Sequence, residues 1–135
     1  MMLKKIRTKC RYYLTKVQAG FPSPGEDYEE DPLDLNSLMV KNRPATFFAR
    51  ADGDAMQAAG ISDGDLLVVD RSLTPSHNRI VVAVVNDEFL CRRYLQQNGH
   101  IYLSADGRPK DSIELTEALD ATVWGVVTYV VHKTL

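Results

Sequence analysis

Past Thr46 the chain breaks into short runs of aliphatic, β-branched and aromatic residues, each closed by Gly, Asp, Asn or Pro. That rhythm belongs to strands rather than helices. The runs span residues 46–50, 66–70, 79–85, 88–95, 101–104, 112–115 and 122–132. Asn86-Asp87 separates two of them and suits a two-residue hairpin turn. Helical spacing is rare by contrast. After Asp34, a candidate N-cap, Leu35, Leu38 and Met39 recur at i, i+3 and i+4, predicting one short amphipathic helix. Residues 52–59 are the only other stretch that suits a helix, opening at Ala55. The expected fold is therefore mainly β: a curled, barrel-like sheet with short helices.

The first third reads differently. Gly20-Phe21-Pro22-Ser23-Pro24-Gly25 excludes helix, and Pro32 and Pro44 interrupt the residues beyond it. Residues 1–30 are expected to form a flexible, extended N-terminal arm, and residues 31–135 the β domain.

At 135 residues, 44% hydrophobic and 25% charged, the chain has room for one compact domain with a real core and not for two catalytic domains. A formal net charge of −2 argues for neither a nucleic-acid nor a membrane surface, but its distribution is uneven. Lys4, Lys5, Arg7, Lys9, Arg11 and Lys16 precede a crowd of acids from Glu26 to Asp34. This fits a solvated arm drawn to an acidic patch, or a transient contact with a nucleic-acid filament. Cys10 and Cys91 are the only cysteines, so neither a disulfide framework nor a cysteine metal site is expected, and a reducing cytoplasm fits. No signal-peptide core and no membrane-length apolar run is present. His77, His100 and His132 show no ligand spacing and no nearby acid pair, which makes them surface or turn residues. Trp124, among valines, reads as core or dimer interface.

The chemistry concentrates in Asp52-Gly53-Asp54-Ala55-Met56 and in Glu88-Phe89-Leu90-Cys91-Arg92-Arg93-Tyr94. A serine hydrolase that works without histidine needs a hydroxyl on a tight turn, backbone donors for the oxyanion, and a lysine desolvated enough to be neutral. Gly53 and Asp54 suit such a turn, with Met56 completing the cleft, and the 88–95 strand would aim one residue toward it. These boxes, with Gly60-Ile61-Ser62-Asp63-Gly64-Asp65 and Trp124-Gly125-Val126-Val127, resemble the UmuD and MucA-like branch of the LexA-like self-cleaving serine peptidases. Ala19-Gly20-Phe21-Pro22-Ser23-Pro24 is similar to the scissile segment of that branch in particular. The segment ahead of Gly20 is too short for the helix-turn-helix domain that LexA-type repressors carry, so no sequence-specific DNA binding is expected.

The resemblance implies a homodimer that cuts itself at Ala19-Gly20 on a RecA–single-stranded DNA filament. The shortened form would then serve a UmuC-like Y-family polymerase in SOS mutagenesis, without cofactor or metal. It also places Ala55 at the nucleophile position and Arg92 at the general-base position. Ala55 has no oxygen with which to attack, and a guanidinium, already protonated, has no lone pair with which to take a proton. Arg93 fails for the same reason. Cys91, next to Arg92 on a strand, is expected to face away from position 55. The cleavable bond is present and the Ser-Lys dyad is not.

Either deliberate replacement or natural decay accounts for the pair. His77-Asn78-Arg79-Ile80 and Asp106-Gly107-Arg108-Pro109 also depart from the family's usual His-Gly-Asp-Ile and Asn-x-x-Tyr-x-Pro. Three functions are open to such a chain: an uncut accessory subunit of a translesion polymerase, the inactivated form of a working self-cleaving peptidase, or a regulator that acts through mixed dimers with active relatives.

Overall fold

The computed structural model describes residues 10–13, 19, 29–106 and 108–135 and divides into two units, residues 1–40 and 41–135. Within the first, β1 (Cys10–Tyr13) pairs antiparallel with β2 (Glu29–Leu33), with Tyr13 opposite Glu29 and Tyr12 opposite Glu30. β1 and the first two residues of β2 fall within the 1–30 segment, and Pro32 lies within β2. Helix α1 (Leu35–Met39) comes next, capped as its sequence predicts: the Asn36 amide donates to Asp34 Oδ1 at 3.1 Å and Ser37 Oγ donates to Oδ2 at 3.1 Å.

The second unit is one antiparallel seven-stranded sheet in the order β3-β4-β9-β5-β6-β7-β8. Its strands are β3 (Thr46–Arg50), β4 (Leu66–Asp70), β5 (Ile80–Val85), β6 (Glu88–Gln97), β7 (His100–Ala105), β8 (Arg108–Glu114) and β9 (Ala121–Val131). The sheet is open rather than a closed barrel, because β3 and β8 stand at opposite edges and are not paired with each other. Asn86 and Asp87 both take positive φ, 49° and 66°, giving the tight turn between β5 and β6 in which Val85 faces Glu88.

Alternation along β5 sorts the core onto two faces. Val81, Ala83 and Val85 pack with Tyr94, Leu103 and Val126, while Val82 joins Met56, Ile61, Leu67 and Val69. Strand β9 runs between β4 and β5 and is irregular against both. Val82 faces Gly125 and Ala83 faces Val123, which leaves Trp124 unmatched in a bulge. A bulge redirects the extra side chain, and here it sends Trp124 toward the Met56 face.

The expected helix at residues 52–59 is not formed. A turn through Met56 leads into a 3-10 helix, Gln57–Ala59, closed by Gly60 at φ 85°. The ladder cannot lengthen because the chain must bend at once into β4: the Ile61 amide donates back to the Met56 carbonyl at 3.2 Å.

Candidate functional site

Ala55 and Arg92, far apart in sequence, line one cavity of about 440 Å³. Its floor and walls are mostly apolar. Ala49, Ala51, Met56, Leu67, Val82 and Trp124 contribute, with Asp52 and Asp54 among the lining residues that remain exposed. The cavity exists because β3 hands the chain to the 51–56 turn beside β6, while the β9 bulge supplies Trp124.

The turn is braced from the loop before β4. Ala51 accepts from the Gly64 amide at 2.8 Å and donates to the Asp65 carbonyl at 2.8 Å. Asp63 Oδ1 accepts the Gly53 amide at 2.7 Å. Gly53 sits at φ 93°, where a side chain would be strained. Its N–H is therefore committed to Asp63 and is not turned to the cavity. Asp54 lends its carbonyl to the Gln57 amide at 3.1 Å. Met56 is 4% exposed and acts as a wall of the core. Behind the loop, buried Asp65 accepts the Ser62 amide at 2.8 Å through Oδ2 and meets His132 Nδ1 at 2.6 Å through Oδ1.

On β6, Arg92 donates from Nη1 to the Cys91 carbonyl at 2.8 Å, while its Nε is shut from solvent with no acceptor among the described residues. Leaving such a donor unmade costs about 1–3 kcal/mol. Arg93 has the opposite fate. Its Nε and Nη2 fork grips both oxygens of Asp106 at 2.7–3.0 Å, and its Nη1 donates to the Asn78 carbonyl at 2.6 Å. Asp106 raises the pKa of Arg93 above its ordinary value by accepting these bonds.

Cys91 corrects the expectation from sequence. It does not face away from the site but lines the cavity and packs with the Met56 cluster, because its cross-strand partner Val82 belongs to that cluster. Alternation itself holds, since Arg92 pairs with Val81 of the other cluster and shares that side of β6 with Leu90 and Tyr94; the expectation failed because it put Arg92 rather than Cys91 on the Met56 side. Burial pushes the Cys91 thiol up to about 11, so it is protonated and is no substitute nucleophile at neutral pH.

Ala19 is exposed and lies in the first unit, while Gly20 falls outside the described residues. Sequence reasoning missed the aromatic rim. The rings of Phe47 and Phe89 meet Trp124 edge-on, 5.2 and 5.8 Å between centroids, and the Arg71 guanidinium lies 4.6 Å over the indole. It also missed the acid partners of two histidines. His100 pairs with Glu114 at 2.7 Å and His132 with Asp65, each across a stretch of sequence too long for local spacing to show.

The sequence matches the Peptidase S24-like family over residues 11–128. Protein ImpA of Salmonella typhimurium is 42% identical over 122 residues, 90% of this chain and 83% of that protein. Protein MucA of Escherichia coli is 49% identical over 84 residues, 62% of this chain and 58% of that one. Protein SamA of Salmonella typhimurium is 37% identical over 129 residues, covering 96% and 89%. With an open, largely antiparallel β domain and a cavity between its turn and its sixth strand, the chain belongs to the Peptidase S24-like family, in the UmuD-like branch of ImpA, MucA and SamA.

Proposed function

We propose that this protein is a UmuD-like accessory subunit of SOS mutagenesis that binds a UmuC-like Y-family polymerase as a homodimer in the cytoplasm, with self-cleavage disabled. The observation that carries the reading is the cavity itself: Ala55 and Arg92 share it, yet neither supplies a nucleophile or a base. Loss of members of such a unit costs on the order of a millionfold in rate. What the site retains is shape and apolar surface, which suits holding a peptide segment rather than cutting it.

The test is incubation of the full chain with an activated RecA–single-stranded DNA filament, followed by intact-mass analysis. The full-length mass is expected to persist. A product beginning at Gly20 would refute the reading. Co-purification with a Y-family polymerase, and loss of damage-induced mutagenesis on deletion, test the accessory role separately from cleavage. A fall in mutagenesis when the protein is co-expressed with an active relative would instead favour a mixed-dimer regulator.

A further inference from the structure

The seven-stranded sheet has two edges, β3 and β8, and only β8 is guarded against further pairing. Strand β8 carries Pro109, Lys110 and Asp111, and its register against β7 slips between Leu103 and Ala105. Proline, charge and irregularity are the devices that protect an exposed edge. Strand β3 has none of them before Arg50, and runs against β4 without a register shift. The bonds that flank its ladder show which way each residue turns. Arg71 donates to the Ala45 carbonyl, and Ala51 exchanges bonds with Gly64 and Asp65, all at 2.8 Å. The odd-numbered residues therefore bond to β4, while Phe48 and Arg50 turn their amides and carbonyls outward. The Thr46 amide is spent on the Arg43 carbonyl, which leaves its own carbonyl facing outward. Phe48 is 57% exposed, and the Arg50 guanidinium is drawn back to its own loop, Nη1 donating to the Gly64 carbonyl at 3.1 Å.

We propose that β3 is the edge through which two copies of this chain join, antiparallel about a two-fold axis at Phe48. This rests on the homodimer reading above and names its contact surface. With Phe48 opposite Phe48 of the second copy, the two residues exchange both backbone bonds, and each Arg50 amide donates to the facing Thr46 carbonyl. The outward groups already point along this ladder, so pairing asks for no change of backbone. The two rings meet as a favourable cross-strand pair. Charge selects the partner and its direction. Arg43 precedes β3 and Asp52 follows it, both exposed. Antiparallel self-pairing brings the basic entry of each copy toward the acidic exit of the other and holds the two Arg50 side chains at opposite ends. A parallel arrangement would set those arginines side by side. A foreign strand of one charge sign meets either Arg43 or Asp52 unfavourably. Five residues of edge make a smaller contact than the roughly 1,200 Å² of a stable complex, so the expected Kd is about 10–100 μM.

The experiment follows the full chain by sedimentation velocity from about 5 μM to about 1 mM, where a monomer–dimer equilibrium is expected. Over the same range, hydrogen exchange read by mass spectrometry should slow about fivefold at the outward amides of residues 46–50 and stay unchanged across residues 108–114. Phe48→Lys and Phe48→Glu each set like charges opposite one another on the axis, and each alone is expected to weaken association about tenfold or more. Mixed in equal amounts, they should form a heterodimer at least about tenfold tighter than either homodimer. Undiminished dimerisation of both variants, or a mixture no tighter than either alone, would overturn the β3 interface and leave the homodimer reading standing. Concentration-independent exchange at residues 46–50 in a chain that does dimerise would do the same, whether or not the variants fold. A chain that stays monomeric up to about 1 mM would overturn both.

Discussion

His132 Nδ1 stands 2.6 Å from Oδ1 of Asp65, joining the end of β9 to a carboxylate only 3% exposed. The Ser62 amide, and after it His132, hold the Asp65 carboxyl below its ordinary value of 3.8. A depressed carboxylate contributes stability that is complete above the unfolded value and is lost as pH falls through the folded one. The stabilisation should therefore fade below about pH 4. In urea denaturation between about pH 2 and 6, Asp65→Asn is expected to flatten the acid limb of the stability curve. An acid limb unchanged in Asp65→Asn would contradict the assignment.

Gly125 fixes β9 in a second way, by its close approach to β4. A Cβ there would stand 2.5 Å from Val69 Cγ1, and Val69 is fully buried. Gly125→Ala is expected to destabilise by about 1–3 kcal/mol through overpacking. Adding Val69→Ala removes the offending methyl, so the double variant should lose less than the sum of the singles, with a coupling of about 0.5–3 kcal/mol. Because Trp124 precedes Gly125 in the bulge, crowding here should also move the indole, which tryptophan fluorescence reads. Full additivity would place the strain elsewhere.

Where strand rhythm is strong, the sequence and the fold agree: residues 46–50 and 66–70 became β3 and β4 with those bounds, and Asp34 caps α1. Position 55 and position 92 are both among the residues that line one cavity. What the sequence hid is long-range. The 52–59 segment has helix-forming residues but is pulled short by Gly60 and by the return into β4. Cys91 takes its face from its pairing with Val82, and Trp124 takes its direction from a bulge visible only once β9 is paired on both sides. The aromatic rim joins Phe47, Phe89 and Trp124 from three separate strands, and no local window contains it.

Cys91 should be a quiet thiol despite its place in the cavity. Burial raises its pKa from 9.0 to about 11, so at any pH below both values the thiolate fraction falls by about a hundredfold. Iodoacetamide labelling near pH 8, read by site-resolved mass spectrometry, is expected to modify Cys91 about a hundredfold more slowly in the folded protein than in urea. The gap should hold up to about pH 9 and close toward pH 11, as the folded thiol ionises. Rapid labelling of Cys91 in the native state would show a reactive thiolate and reopen it as a nucleophile.

The pairing of Ala55 with Arg92 makes restoration a two-residue problem. Ala55→Ser alone supplies a hydroxyl on the braced turn, but the only side chain at the base position is a guanidinium that stays protonated across the accessible pH range. The single variant is expected to stay full-length through prolonged incubation at alkaline pH. Arg92→Lys alone supplies a base with no nucleophile and should be equally inert. Together they place a hydroxyl and a desolvated amine on one apolar cavity, where burial drives a lysine toward neutrality. The double variant is therefore expected to yield a fragment beginning at Gly20, with a rate that rises with pH as the lysine loses its proton. Mass spectrometry after incubation with and without RecA filament reads all three variants. A cut in Ala55→Ser alone would mean that a base other than residue 92 reaches the site, and an uncut double variant would mean that the turn no longer presents position 55 to β6, despite the brace from Asp63 to Gly53.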